Sequence, residues 1–179
     1  AGAHECALDL GTNDCPPVTL TGWGQAVGEP QGNHIGLYLD PEAQICQGPL
    51  DGSSQTVQVR VLAVLPDFAG AGITACEFRL ANLPVNGLPP AGHWTATWTT
   101  SLVIGDVEDG IALAWSTPQP GPIVELGYLV FSSYEQTDWI GPDHTVSVAP
   151  SLSGSGLVIV DDNYDELAVA GGAFTFNCS

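Results

Sequence analysis

Apolar and polar residues alternate along most of this chain, and a period of two is typical of strands with one buried face. The clearest example is Thr56–Leu65, in which every second residue from Val57 onward is apolar. Ile73–Leu80 and Trp94–Thr99 repeat the pattern. Apolar residues almost never recur with a helical period, and 22 glycines and 14 prolines interrupt the strands. The sequence therefore predicts an all-β fold.

Short strands follow one another along the chain, with Gly- and Pro-rich loops between them. About eight to ten strands at this spacing favour an antiparallel β-sandwich, immunoglobulin-like or jelly-roll-like, over a parallel sheet. The last strand segment is predicted to be a hairpin that turns at Gly171-Gly172, and one short helix is expected near Pro41–Cys46. The further predicted strands are His34–Leu39, Gly110–Trp115, Ile123–Phe131, Thr145–Val148, Leu157–Val160 and Leu167–Thr175.

The first 33 residues differ in character from the rest of the chain. Ala1–Asn33 contains Cys6 and Cys15 in a polar, Gly-containing stretch, and its one strand-like piece is Val18–Thr21. We therefore expect an N-terminal extension over residues 1–33, which could donate a strand to another sheet, and a β-sandwich domain over residues 34–179.

Acidic residues dominate the charge of the chain. Twenty Asp and Glu residues stand against two arginines, Arg60 and Arg79, which gives a formal net charge of −18. Because nucleic acids and anionic membranes are bound by clustered cations, neither is an expected partner. No apolar run reaches the ~20 residues that a membrane span needs. The chain begins Ala-Gly-Ala-His, and we expect a mature exported product that is secreted, extracellular or at the cell surface.

The chain has five cysteines, an odd number that intrachain disulfides cannot use up. Cys76 lies on the apolar face of its predicted strand and Cys46 lies in the loop before the strongest strand, so we expect these two to pair. Cys6 with Cys15 would close a small loop, which leaves Cys178 over. The remaining thiol is either buried and unreactive or forms a disulfide between subunits.

The densest group of oxygen ligands is the loop Asp161-Asp162-Asn163-Tyr164-Asp165-Glu166. Hard cations such as Ca²⁺ prefer carboxylate and carbonyl oxygens, so Asp161, Asp162, Asp165 and Glu166 are candidate calcium ligands. The spacing does not fit an EF-hand, and Asp and Asn side chains also stabilise turns. Calcium binding and a solvated turn are both open, and no other cofactor is predicted.

Five tryptophans raise the question of carbohydrate binding, because sugars stack on exposed rings. Trp94, Trp98 and Trp115 lie within predicted strands, which indicates packing between sheets. Trp23, between two glycines, and Trp139, in a loop, are better placed for exposure and are the candidate glycan contacts.

Sequence signatures of catalysis are absent. The chain has no G-x-S-x-G motif, no Gly-rich phosphate loop and no C-x-x-C pair. Its four histidines stand in separate segments, and His34 lies in register with apolar neighbours, which indicates a structural role. We predict that the protein is not an enzyme.

The chain contains the segments HIGLYLD, TVQVRVLAVL, GITACEFRL, GPIVELGYLVF and LAVAGGAFTFNC in that order. Over residues 34–177 this pattern resembles a set of uncharacterised exported bacterial β-sandwich modules and, more loosely, immunoglobulin-like and cohesin-like sandwiches. The resemblance implies the fold and export, and it brings no catalytic residues with it.

Together these features predict a non-catalytic extracellular structural protein that assembles with itself. The expected product is a filament or surface layer, joined by strand addition from the N-terminal extension and by disulfides. The alternative is an adhesion module that binds calcium or carbohydrate.

Overall fold

The computed structural model describes residues 32–50, 55–86, 92–134 and 139–177, and within these ranges the chain is all-β with no helix. Two sheets, one of five strands and one of eight, enclose one apolar core. The predicted fold class, a largely antiparallel β-sandwich, is confirmed. The strands are β1 (His34–Tyr38), β2 (Gln47–Gly48), β3 (Thr56–Val64), β4 (Ile73–Ala81), β5 (Gly92–Trp98), β6 (Leu102–Asp106), β7 (Gly110–Gln119), β8 (Ile123–Ser133), β9 (His144–Ala149), β10 (Val158–Asp161), β11 (Glu166–Ala168), β12 (Ala170–Gly171) and β13 (Ala173–Phe176).

The five-stranded sheet has the order β12-β1-β3-β8-β5. All of its pairs are antiparallel except that of β1 and β12, which is parallel. β3 and β8 form its longest pair, with Val59 opposite Leu129 and a shift in register after Val61. Alternate apolar residues of both strands belong to the core, as the period of two predicts.

β4 is the central strand of the eight-stranded sheet. β7 pairs with it over residues 73–78, and β6 lies outside β7. β10 also pairs with the first part of β4, whereas β9 pairs with residues 79–81. β11 extends the sheet beyond β10, and β13 and β2 extend it beyond β9.

Phenylalanine rings fill the centre of the core. The rings of Phe131 and Phe176 have centroids 4.9 Å apart, and those of Phe174 and Phe176 are 4.8 Å apart, both in edge-on geometry. Phe78 packs edge-on against Trp98 at 5.8 Å. All four phenylalanines are fully buried. Each such side chain stabilises the fold by about 1.5–3 kcal/mol through burial.

His34 and Tyr38 form a buried polar pair in β1. Nε2 of His34 lies 2.8 Å from the hydroxyl of Tyr38, and its Nδ1 lies 2.8 Å from the carbonyl oxygen of Gly32. Both polar ends of the imidazole ring therefore have partners, which a buried histidine requires. The structural role expected for His34 is confirmed.

The last part of the chain passes from one sheet to the other and back. β11 pairs with β10, β12 pairs with β1 of the other sheet, and β13 pairs with β9. Gly172 donates its N–H to the carbonyl of Ile35 at 2.8 Å, and its own carbonyl accepts the N–H of Val148 at 2.9 Å. The hairpin predicted at Gly171-Gly172 is wrong. The chain does not reverse its direction there, and β11, β12 and β13 each pair with a different strand. This crossing closes one side of the sandwich.

The helix expected near Pro41–Cys46 is also wrong. Oδ1 of Asp40 accepts the N–H groups of Gln44 and Ile45, at 3.1 and 2.6 Å. Ala43 has a positive φ of 57°, which a helix does not contain. The segment is a turn held by an aspartate side chain.

Candidate functional site

β6 and β7 form a hairpin at the outer edge of the eight-stranded sheet. All five residues of β6 are paired with β7. At the turn, Oδ1 of Asp106 accepts the N–H groups of Glu108 and Asp109, at 2.9 and 2.8 Å. The carbonyl of Val107 in the same turn accepts the N–H of Leu80 from β4 at 2.7 Å. The hairpin is therefore anchored to the sheet at its turn.

Large apolar side chains of β6 lie in solvent. Every residue of the strand is exposed, with Ile104 at 66% and Leu102 at 56%. These two side chains stand on the same face as Ala112 and Ala114, which are directly opposite on β7 and too small to shield them. Burial of Leu102 or Ile104 would stabilise the protein by about 1.5–3 kcal/mol each, and a single chain does not gain this stabilisation.

The backbone of β6 is also open on its outer side. Within the described ranges, no strand other than β7 pairs with β6. In an antiparallel ladder, alternate residues direct their N–H and C=O groups away from the partner strand. Proteins commonly protect such an edge with charges or proline, and residues 102–105 (LVIG) contain neither. An edge of this kind can accept an extended segment as an additional strand.

The edge strands of the two sheets lie on the same side of the sandwich. Residues 99–101 join β5, the edge of the five-stranded sheet, to β6. Three residues span at most ~11 Å when fully extended, which is close to the ~10 Å that separates packed sheets. We call this side, which carries the edges of β5 and β6, the open side of the sandwich.

The edge of β5 is covered at Trp94 by a side chain from another segment, whereas the Leu102 N–H of β6 donates to Oγ1 of the nearby Thr100 at 3.2 Å. Oδ1 of Asn86 accepts the backbone N–H of Trp94 at 2.7 Å, and Nδ2 of Asn86 lies 3.3 Å from the Trp94 carbonyl oxygen, to which it donates. Among the described residues, the two edges on the open side therefore differ, and β6 is the edge that no other segment covers.

β6 is not among the strands predicted from the sequence. Its signal is the run Leu-Val-Ile followed by Gly-Asp and an acidic turn. The run does not alternate, because its side chains are apolar on both faces, and the period-of-two pattern therefore passes over it. Three consecutive apolar residues before a turn would have indicated a strand with no solvent-facing polar side.

The predicted disulfide between Cys46 and Cys76 is wrong. Cys76 is a free, buried thiol on the inner face of β4, opposite Leu113 of β7. Burial raises the pKa of this thiol far above its usual value, and a backbone hydrogen bond with Leu113 offsets only part of that rise. Cys46 is half-buried and disulfide-bonded, although not to Cys76. Cys6, Cys15 and Cys178 lie outside the described residues.

The acidic loop after β10 is a turn organised by one of its carboxylates. Asp161 is buried, and its Oδ1 accepts the N–H groups of Asn163 and Asp165, at 2.8 and 2.9 Å. The bond from Asp165 lowers the pKa of Asp161 most; partial burial opposes it, and Asn163 adds to the lowering. Oδ1 of the neighbouring Asp162 accepts the N–H of Ala71 at 3.2 Å.

The four predicted calcium ligands do not converge. The described part of the chain contains no group of three or more His, Cys, Asp or Glu side chains placed to hold a metal ion. The arrangement of Asp161, Asp162, Asp165 and Glu166 favours the other interpretation of this loop, a turn.

The described tryptophans pack against the core. Trp94, Trp98 and Trp115 are half-buried on strands, as the sequence predicted. Trp139 is also half-buried against the core, and its indole N–H donates to the carbonyl of Val85 at 2.9 Å. Its ring is therefore partly covered, and a glycan contact at Trp139 stays a prediction. Trp23 lies outside the described residues.

The chain is similar to known proteins in its fold and not in its sequence. No family model matches the chain, and no curated protein is significantly similar to it. No helix in the described ranges is long and apolar enough to cross a membrane.

Solved structures similar to this chain include cohesins and an immunoglobulin-like protein. The seventh ScaB type I cohesin from Pseudobacteroides cellulosolvens is 13% identical, with a TM-score of 0.47 over 83% of this chain and 94% of its own. CaCohA2 from Clostridium acetobutylicum is 12% identical, with a TM-score of 0.45 over 83% and 92%. An uncharacterized protein from Nocardia farcinica with an immunoglobulin-like fold is 14% identical, with a TM-score of 0.39 over 80% and 98%. These are the two kinds of sandwich that the sequence pattern resembles.

Proposed function

We propose that this protein is a non-catalytic structural subunit of the cell exterior that assembles with itself by strand addition at β6. The observation that carries the proposal is the edge of β6, which combines exposed Leu102 and Ile104 with a backbone that no described strand covers. Adding a strand would satisfy the outward backbone groups and bury the apolar side chains in one step.

The donor is residues 1–33 of a neighbouring subunit. Val18–Thr21 alternates apolar and polar residues, so Val18 and Leu20 would pack on one face while the backbone pairs with β6. Residues 16–28 carry no charged side chain. An uncharged donor fits this acceptor, because backbone hydrogen bonds between the subunits can hold the donor without an ion pair. Each of these bonds makes a net contribution of about 1 kcal/mol.

The charge of the chain sets the conditions for assembly. Both arginines are engaged within the subunit, Arg60 with Glu125 at 2.6 Å and Arg79 through Nε with the carbonyl of Pro150 at 3.0 Å. With a net charge of −18, approaching subunits repel each other. We therefore expect assembly to strengthen as salt increases, since salt screens this repulsion.

The proposal is tested by comparing two lysine variants of the full chain by sedimentation velocity. Ile104→Lys places a positive charge on the acceptor edge, whereas Thr97→Lys places the same charge at an exposed position of β5. We expect Ile104→Lys to weaken association at least about tenfold, which corresponds to about 1.4 kcal/mol, and Thr97→Lys to behave as the unmodified chain. Equal association of the two variants would show that β6 is not the acceptor.

The donor is tested separately by deleting residues 1–31, which leaves Gly32 and Asn33 in place as partners of His34 and Ala170. The truncated chain keeps β6, so it should no longer polymerise but should still bind a synthetic peptide that spans residues 16–28. Reducing and non-reducing gels of the assembled protein then test whether disulfides join its subunits. A truncated chain that polymerises normally would exclude donation from the N-terminal extension.

A further inference from the structure

We propose that the side chain of Asn86 closes the edge of β5 to strand addition, so that each subunit has a single acceptor edge and assembly is unbranched. The closure itself is a property of one subunit, and its consequence for unbranched assembly rests on the proposed function.

Asn86 occupies the place that the backbone of an added strand would take. Its carboxamide makes two hydrogen bonds to Trp94, one to the N–H at 2.7 Å and one to the carbonyl oxygen at 3.3 Å. A paired residue of a neighbouring strand makes the same two bonds. The N–H and C=O of one residue point to the same side of an antiparallel strand. Both groups of Trp94 bind Asn86, so they point away from β8, on which Phe131 is the residue opposite.

The segment that carries Asn86 is held in place by two indole rings. Trp94 Nε1 donates to the carbonyl of Pro84 at 2.8 Å, and Trp139 Nε1 donates to the carbonyl of Val85 at 2.9 Å. Leu83 packs against the core. Pro84 has no N–H and cannot extend a ladder itself. The position of Asn86 at the edge is therefore fixed by contacts of the three residues before it, and the segment that they form is a poor strand.

The remaining edges are too short to guide an added strand. β12 and β2 have two residues each and β11 has three, compared with seven in β5 and five in β6. Very short edge strands are one of the ways in which proteins prevent pairing between sheets. Asn86 interrupts β5 at Trp94 and leaves residues 95–98 as its uncovered part, so the five-residue β6 is the longest described edge that no other segment covers.

One acceptor and one donor per subunit produce a head-to-tail contact. Such a heterologous interface generates rings or linear filaments, depending on the rotation between neighbours. A second acceptor on β5 would allow each subunit to bind two donors, and the assembly would branch. Asn86 thus determines the number of neighbours rather than the strength with which each is bound.

The experiment compares Asn86→Ala with Asn86→Asp in the Ile104→Lys background, so that association through β6 is suppressed. Alanine removes both bonds to Trp94 and opens the edge, whereas aspartate keeps an acceptor for the Trp94 N–H and adds a charge that also deters pairing. We expect the Asn86→Ala/Ile104→Lys protein to associate in sedimentation velocity and the Asn86→Asp/Ile104→Lys protein to stay monomeric. Native hydrogen exchange should show the Trp94 amide exchanging roughly fivefold faster with alanine at position 86, the size expected for one lost hydrogen bond.

The experiments distinguish a failure of the closure of β5 from a failure of the proposed function. If Ile104→Lys leaves assembly unchanged, the acceptor role of β6 fails, and Asn86→Ala alone is then compared with the unmodified chain for a gain in association. An Asn86→Ala protein with a native near-ultraviolet spectrum and no gain in association over its parent would overturn the closure. So would rapid exchange of the Trp94 amide in the unmodified chain, a measurement that needs no variant to fold.

Discussion

Gly105 passes so close to the carbonyl oxygen of Gly110 that a Cβ at position 105 would collide with it. Gly105 also has a φ of +83°, a conformation that other L-residues adopt only with strain. We expect Gly105→Ala to lower the free energy of unfolding by more than about 1 kcal/mol and to distort β6. Urea denaturation measures the loss, and Gly141→Ala, at a position with no atom within 4 Å of the added Cβ, is the control that should change little.

The buried thiol of Cys76 should be chemically silent in the folded protein. Because burial raises its pKa far above the usual value, almost no thiolate exists at neutral pH. We expect iodoacetamide followed by peptide mapping to leave Cys76 unlabelled in the native state and fully labelled after denaturation. Labelling of the native protein at the rate of a free cysteine would contradict the burial of this side chain.

The phenylalanine cluster should dominate the stability of the sandwich. Phe176 contacts the rings of both Phe131 and Phe174. We expect Phe176→Ala to cost about 3–5 kcal/mol through lost burial and a cavity. Tyr164 is 81% exposed, and Tyr164→Ala should change stability by no more than about 0.5 kcal/mol. Comparable losses in the two variants would show that the ring cluster is not the centre of the core.

Asp161 should make stability depend on pH in the acid range. Its pKa is lowered by the N–H of Asp165 above all, so its carboxylate stabilises the fold at pH values above the ordinary value of about 3.9. That contribution is lost as the pH falls through the lowered pKa of the folded state. We expect Asp161→Asn to be less stable than the unmodified chain at pH 7 and the difference to shrink toward pH 2. A constant difference across this range would exclude a role for the charge.

The local sequence pattern predicts where strands begin and end but not which strands pair with each other. β3 and β4 were predicted within one residue at each end, because their alternation is set by which face is buried. The crossing at Gly172 depends on Ile35 and Val148, which are distant in sequence, so two adjacent glycines suggested a hairpin instead. The pairing of Cys46 with Cys76 failed for the same reason, since a strand pattern fixes the face of a cysteine and not its neighbour.

The candidate site was harder to predict than the fold. The strand-addition hypothesis came from the N-terminal extension, whereas the acceptor edge became visible only in the structure. β6 lacks alternation, and Asn86 looks like any loop asparagine until Trp94 is known to lie at a sheet edge. Edges are a property of the strand order, which local sequence does not determine.

The crossing of β12 between the sheets also determines when the protein can fold. Residues 170–176 complete the ladder on β1 and supply Phe174 and Phe176 to the core. β12 pairs with β1 near the other end of the sandwich sequence, whereas β13 pairs with the nearer β9. The contact of β12 with β1 joins residues far apart in sequence, and contacts of this kind form slowly. We therefore expect this side of the sandwich to close late in folding.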